Sequence, residues 1–126
     1  MEKRLVVMVA RRGGKVLLVQ QRKKHAGRWG LPGGRIRRGE KPARAIRREL
    51  VEEVRCSAKA LRPIGSCSVR HGLDSLGFSI YVGRVSGSPA PSDEIRAVRW
   101  VALRNAGRYR LRPGMGAVLD AVRRVL

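Results

Sequence analysis

One stretch, from residue 34 to residue 56, constrains the fold more than any other part of the sequence: GRIRRGEKPARAIRRELVEEVRC. Pro42 suits the first position of a helix because its fixed backbone angle is already helical. Apolar residues then recur at helical spacing and give one apolar stripe: Ala43, Ile46, Leu50 and Val54. The pattern predicts a helix over residues 42–54.

Three carboxylates lie beside the apolar stripe of this helix. At about 100° per residue, Glu49, Glu52 and Glu53 fall within roughly 100° of one another. The three negative charges repel one another. A hard divalent cation held by oxygen ligands, Mg²⁺ or Mn²⁺, would offset this repulsion. The alternative is a solvated acidic face on a surface helix. Composition argues against it, because four of the nine acidic residues lie between residues 40 and 53.

The charged positions of this stretch resemble the Nudix box of the Nudix (MutT-type) hydrolase family. That pattern is Gly, five residues, Glu, seven residues, Arg-Glu, an aliphatic residue, one residue, Glu-Glu, one residue, Gly and an aliphatic residue. Here it begins at Gly34 and Glu40, and every charged position matches. The departures are Arg55 in place of the second Gly and Cys56 in place of the aliphatic residue. At a helix exit, a non-Gly residue in a left-handed conformation costs about 1 kcal/mol.

The resemblance implies a metal site and a set of catalytic residues. Glu49, Glu52 and Glu53 would bind Mg²⁺ or Mn²⁺, with the Gly33 carbonyl as an additional ligand. Family members often carry a further acid that reaches the metal from a later loop, and Glu94 is the candidate here.

Two further roles follow from the same stretch. Glu52 or Glu94 would take the proton of the attacking water, and the sequence does not choose between them. Arg48 lies one helical turn before Glu52, so an ion pair orienting that carboxylate is expected. Glu40, at the entrance of the helix, is expected to pair with Arg48 and to be structural.

The activity implied by the resemblance is metal-assisted hydrolysis of a diphosphate linkage in a nucleoside diphosphate derivative. Two family markers are missing downstream of the box: residue 72 is Gly rather than Pro, and Tyr81 lies too far along. A nucleoside triphosphate, oxidised ones included, is therefore favoured over ADP-ribose. The alternatives are an RNA 5′-end pyrophosphohydrolase and a non-catalytic Nudix module that binds nucleotides or RNA. A pure binder gains nothing from clustered acids, which disfavours the last reading.

The chain carries a formal net charge of +20, with 23 Arg and 6 Lys. Such a field attracts nucleotides and nucleic acid, although a general bias towards Arg would give the same composition. Arg22, Arg28 and Arg35 flank the Gly-rich turn and are candidate phosphate contacts. Tyr81 is a candidate for stacking on a base, or else an ordinary half-buried tyrosine of a strand.

The 126 residues suffice for a single domain with one core. Strand patterns cover residues 5–10, 15–22, 59–70, 77–85 and 97–103, with a short strand and Gly-rich turn over residues 29–34. The run KVLLVQQ is typical of a strand buried on both faces. An amphipathic helix is predicted for residues 114–126. This order of elements predicts an α/β fold, in agreement with the Nudix α/β/α sandwich, a mixed sheet between helices.

Two cysteines, Cys56 and Cys67, are too few for a disulfide framework, and each is expected to pack as a small hydrophobic residue. The apolar run at residues 5–10 is too short for a signal peptide or a membrane span. The sequence therefore predicts a soluble, cytoplasmic protein without a membrane partner. Small Nudix proteins often form homodimers, so the resemblance makes a homodimer an open expectation.

Overall fold

Seven strands form one mixed sheet, and helices cover both of its faces. A computed structural model describes residues 1–126. The strands are β1 (Glu2–Arg12), β2 (Lys15–Gln21), β3 (Trp29–Gly30), β4 (Gly33–Arg35), β5 (Ala58–His71), β6 (Asp74–Val85) and β7 (Ile95–Ala102). The helices are α1 (Pro42–Val54), α2 (Leu103–Ala106) and α3 (Met115–Val125). The predicted α/β class and the predicted helix over residues 42–54 are confirmed.

Strand β1 organises the sheet. The strand order is β3-β2-β1-β6-β5, with β4 added on β1 and β7 added on β2. β1 runs parallel to β6 along nearly its whole length and antiparallel to both β2 and β4. Because β4 pairs with β1 at Leu5–Val7, the glycine-containing segment lies next to the centre of the sheet.

The two faces of the sheet bury two separate apolar clusters, and β1 contributes to both by simple alternation. Val7 and Val9 point to the α3 face, whereas Val6 and Met8 point to the α1 face. β2 alternates in the same way, which confirms its predicted burial on both faces. α1 and α3 each close one cluster with their apolar stripe.

Several boundaries differ from the sequence-based prediction. β1 is longer at both ends than residues 5–10, and the hairpin of β5 and β6 extends to a turn at Gly72. The strand predicted for residues 97–103 begins at Ile95 and ends at Ala102, where α2 begins. α2 was not predicted, because a single helical turn is too short to show a helical period. Its Ala106 is buried in the α3-side cluster.

Both cysteines are free. Cys56 is buried on the α1 face, and Cys67 packs against the cluster on the α3 face. The sheet separates the two, and the expectation that they pack as small hydrophobic residues is confirmed. No helix of the structure has the length and apolar character needed to cross a membrane.

Arg55 ends α1 in a left-handed conformation, with φ 62° and ψ 33°. Its backbone N–H donates to the Val51 carbonyl and closes the last turn. The exit therefore has the backbone conformation that Gly favours in the family pattern, although the residue is arginine. The Cβ of Arg55 is strained in this conformation.

We expect Arg55→Gly to raise the free energy of unfolding by about 1 kcal/mol, because it removes this strain. Urea denaturation of the two proteins measures the difference. Arg55→Ala is the matched control: it removes the same positive charge but keeps the Cβ. An equal gain in both variants would assign the effect to charge, and the strain argument would be wrong.

Candidate active site

Three carboxylates converge from two separate parts of the chain. Glu49 and Glu52 project from α1, and Glu94 comes from the segment directly before β7. One oxygen from each lies within 4.8 Å of the others. The structure thus brings the loop acid proposed from the sequence to the acids of the helix. We call Glu49, Glu52 and Glu94 the carboxylate cluster.

Hydrogen bonds hold the segment that carries Glu94 against Arg22, which directly follows β2. The backbone N–H of Arg22 donates to the Glu94 carbonyl at 3.0 Å. The Arg22 side chain donates to the carbonyls of Ser92 and Ile95, each at 3.3 Å. Arg22, a candidate phosphate contact in the sequence, therefore holds the loop that presents Glu94.

Glu53 occupies a different position, because its side chain points into the protein. The residue is only 3% exposed, and its Oε1 accepts a hydrogen bond from the Gly33 N–H at 2.8 Å. Burial raises the pKa of Glu53 to about 8, and the Gly33 hydrogen bond and the nearby Arg112 oppose this rise only in part.

Gly34 allows the carboxylate of Glu49 to lie directly against β4. A Cβ on residue 34 would stand 2.5 Å from that carboxyl group, which is closer than two such atoms can approach. Burial raises the pKa of Glu49, and its hydrogen bond from Arg48 opposes the rise. The glycine therefore positions a helix carboxylate, in addition to forming the turn.

Arg48 joins the loop before α1 to the carboxylates of the helix. Its guanidinium donates twice to Glu40, at 2.8 and 2.9 Å, and once to Glu49 at 2.9 Å. It also donates to the Arg35 carbonyl at 3.0 Å, and it lies 3.5 Å from Glu52. The hydrogen bonds from Arg48, together with one from the Arg37 backbone N–H, lower the pKa of Glu40 to about 2. Arg48 thus pairs with Glu40 as expected, but its strong contact in the cluster is with Glu49 rather than Glu52.

A cavity of about 430 Å³ adjoins the carboxylate cluster at Gly34. Its floor is apolar and includes Phe78 and Met115, both from the α3 face of the sheet. Charged and polar side chains surround it: Lys3, Gln21, Lys24, His25, Arg35, His71, Asp74 and Arg112. An apolar floor with a polar rim is typical of a site for a small organic ligand.

Two residues that line this cavity carry a buried donor without a partner. Gln21 Nε2 and Arg112 Nε are buried and form no hydrogen bond. The other end of Arg112 donates to the Leu31 carbonyl. Burial lowers the pKa of Arg112, although Glu53 and Glu49 favour its charged form. Arg112 Nε lies against Gly30, a residue outside the cavity lining, whereas Gln21 lines the cavity. Unpaired buried donors are costly, so Gln21 is suited to a ligand that brings a hydrogen-bond acceptor.

Comparison with known proteins identifies the family. The NUDIX domain model matches residues 2–122. The chain belongs to the Nudix family. A curated relative from Danio rerio, named oxidized purine nucleoside triphosphate hydrolase, is 33% identical over 94 residues. That match covers 72% of this chain but 60% of the relative, so the chain matches only part of that protein's length.

Solved structures with the same fold are more distant in sequence. A MutT NUDIX hydrolase from Burkholderia pseudomallei superposes with a TM-score of 0.84 at 24% identity, covering 97% of this chain and 98% of its own. A MutT protein from Methanosarcina mazei gives a TM-score of 0.81 at 22% identity, covering 98% and 92%. These likenesses agree with the predicted Nudix α/β/α sandwich.

The remaining candidate residues of this Nudix chain lie in different places. Arg35 lines the cavity. Arg28 donates to the Leu111 carbonyl at 3.4 Å, a backbone contact outside the cavity lining. Tyr81 packs on the α1 face of the sheet, whereas the floor of the cavity belongs to the α3 face. The structure therefore does not bring Tyr81 to the cavity.

Sequence reasoning missed Gln21 and Arg112. Arg112 is one of 23 arginines, and it reaches Leu31 across 81 residues of chain. No local pattern marks such a contact. Gln21 is the last residue of β2, and its polar side chain indicated only where the strand ends.

The oxygen donors of the site are of the type that Mg²⁺ and Mn²⁺ prefer. The three convergent carboxylates fit such a cation, and the buried Glu53 and the Gly33 carbonyl stay predicted ligands. Arg48 and the surrounding positive charge limit the repulsion among these acids.

The pKa of Glu53 predicts how the stability of the metal-free protein depends on pH. The folded-state value of about 8 lies above the ordinary value of 4.5, so the folded protein holds the extra proton between these limits. This group therefore destabilises the fold progressively as pH rises from 4.5 to 8. We expect Glu53→Gln to gain stability relative to wild type over that range, by up to about 1.4 kcal/mol per pH unit.

Urea denaturation in EDTA at pH 5, 6.5 and 8 measures this difference. Glu40→Gln is the control, because the pKa of Glu40 is lowered and its stabilising contribution is lost only below pH 4.5. Its loss of stability should not change between pH 5 and 8. A pH-independent difference for Glu53→Gln would contradict the assigned pKa.

Proposed function

We propose that this chain is a metal-dependent hydrolase that cleaves a diphosphate linkage in a nucleoside diphosphate derivative. The preferred substrate is a nucleoside triphosphate, oxidised ones included, and ADP-ribose is the second candidate. One observation carries the proposal: the carboxylate cluster adjoins a ligand-sized cavity with an apolar floor and a basic rim. The name of the Danio rerio relative supports the choice of substrate class.

Glu49, Glu52 and Glu94 would hold Mg²⁺ or Mn²⁺, with Glu53 and the Gly33 carbonyl as further ligands. When bound, such a cation neutralises phosphate oxygens and lowers the pKa of a bound water. The residues of the chain supply the positioning on which phosphoryl and nucleotidyl transfer mostly depend. Arg48 keeps Glu49 in place through a hydrogen bond of 2.9 Å.

The proton of the attacking water goes to one of the two exposed carboxylates of the cluster. Glu52 has a side chain 40% exposed, and Glu94 is also exposed, so both are open to solvent. Glu49 is less suited as the proton acceptor, because its side chain is only 12% exposed and already accepts a hydrogen bond from Arg48. Separate Glu→Gln variants at the two exposed positions distinguish them.

The cavity beside the cluster would hold the nucleoside. Phe78 and Met115 offer an apolar floor for a base. Gln21, which lines the cavity, offers an Nε2 donor without a partner. A carbonyl oxygen or an unprotonated ring nitrogen of a base would accept a hydrogen bond from this donor. Lys24 and Arg35 lie on the basic rim, where phosphate groups would be attracted.

The first test is hydrolysis with Mg²⁺ or Mn²⁺ of a panel of substrates. The panel contains ordinary and oxidised nucleoside triphosphates, ADP-ribose, diadenosine polyphosphates, NADH and 5′-triphosphorylated RNA. We expect one strongly preferred nucleoside triphosphate. Glu52→Gln and Glu94→Gln should both weaken the cluster, and kcat should fall by about 10²-fold or more in the variant that lacks the general base.

Asp120→Asn is the matched control for these variants. Asp120 lies on α3, where it pairs with Arg123 away from the cluster. Its loss removes one acidic charge and should leave kcat unchanged. A flat panel with metal bound to the wild-type protein would overturn the hydrolase proposal, and RNA binding without turnover would then favour the non-catalytic module.

Gln21→Leu tests recognition of the base. Loss of one hydrogen bond to the ligand is expected to raise KM for the preferred nucleotide about 3- to 10-fold, with a smaller change in kcat. Gln20→Leu is the control, because Gln20 donates to the Gly27 carbonyl and does not line the cavity. Equal KM values for wild type and Gln21→Leu would remove Gln21 from the binding site.

A further inference from the structure

Arg48, which contacts the carboxylate cluster, also lines a second cavity. Its volume is about 470 Å³, and it is formed by the loop between β4 and α1 and by the start of α1. None of its lining residues is apolar: they are Arg37, Arg38, Gly39, Glu40, Arg44 and Arg48. We call it the arginine cavity.

The positive charge of the arginine cavity is not neutralised within the protein. Glu40 is its single acidic residue, and Arg48 already holds both carboxylate oxygens of Glu40. Arg37 reaches Glu52 only at 3.8 Å, with a side chain that is 66% exposed. Arg38 and Arg44 are exposed and take part in no ion pair or side-chain hydrogen bond.

The same arginines lie at the start of a helix that lacks acidic residues. α1 has no acid in its first turn and no side-chain cap, and Arg44 is its third residue. Positive side chains near the positive end of a helix dipole are unfavourable. A bound anion would relieve both the repulsion among the guanidinium groups and their repulsion from the helix end.

The class of anion follows from what lies next to the cavity. Arg48 belongs to the cavity lining and also contacts Glu49 and Glu52. Arg37 also lines the cavity and lies 3.8 Å from Glu52. The arginine cavity and the carboxylate cluster are therefore neighbours, and a phosphate chain is the kind of anion that can contact both. Guanidinium groups bind phosphate through paired, charge-assisted hydrogen bonds, and several around one recess suit a phosphate group.

We propose that Arg37, Arg38 and Arg44 form a phosphate-binding site that holds a phosphate group other than the ones between which the bond is cleaved. The inference rests on the proposed function for the identity of the ligand. That phosphate belongs either to a mononucleotide with a long polyphosphate chain or to the backbone of a 5′-phosphorylated RNA. The chemistry recognised is the same in both cases.

Calorimetric titration with tripolyphosphate, in EDTA and at about 0.15 M salt to screen the general field, tests the site directly. We expect the double variant Arg38→Gln/Arg44→Gln to weaken binding by roughly tenfold. The matched control is Arg104→Gln/Arg108→Gln, which removes the same charge from two exposed arginines without ion pairs near α2. It should change the affinity by less than about twofold. Equal weakening in both double variants would show a diffuse field and overturn the proposal.

Kinetics with the same double variants identify the source of the phosphate. A rise of KM for nucleoside triphosphates as well as for 5′-triphosphorylated RNA would assign the site to the nucleotide's own chain. A rise for RNA alone would assign it to the RNA backbone. Unchanged KM for both would overturn the proposal. Because the titration needs no turnover, the two proposals can fail separately. A wild-type protein that hydrolyses no substrate but binds tripolyphosphate, with weaker binding in Arg38→Gln/Arg44→Gln and not in the control, would refute the hydrolase proposal and leave the phosphate site standing.

Discussion

The guanidinium of Arg48 is the interaction on which the candidate site depends. It donates hydrogen bonds simultaneously to Glu40 in the loop, to the Arg35 carbonyl in β4 and to Glu49 on α1. A planar group with several fixed donors can make these bonds together, which a lysine ammonium cannot do with the same geometry. The acids of α1 repel one another, so a fixed positive charge at their base lets them stay close before any cation binds.

The sheet explains why the acids and the ligand cavity meet. α1 carries the acids on one face of the sheet, and Phe78 and Met115 lie on the other. β4 runs between them, paired with β1, and the lack of a side chain at Gly34 lets Glu49 approach the backbone closely. Gly34 touches Glu49 and lines the cavity. A side chain at this position would force the Glu49 carboxyl group to move.

Much of this arrangement was readable in the sequence, but only where the signal was local. Pro42 and the apolar stripe fixed the limits of α1, and the family pattern pointed to Glu94 before its position was known. Arg112 and Gln21 gave no signal, because their importance comes from burial and from contacts far along the chain. Tyr81 illustrates the same limit: alternation placed it on a strand but did not say which face carries the ligand.

Several groups that destabilise the fold lie at the site. Glu53 is buried with a raised pKa, and the donors of Gln21 and Arg112 have no partners. Each lowers the free energy of unfolding, because a buried polar group without full compensation loses its hydration. A cation beside Glu53 and a hydrogen-bond acceptor at Gln21 would each offset part of this cost. Binding of the proposed ligand would therefore return some of the stability that the free protein lacks here.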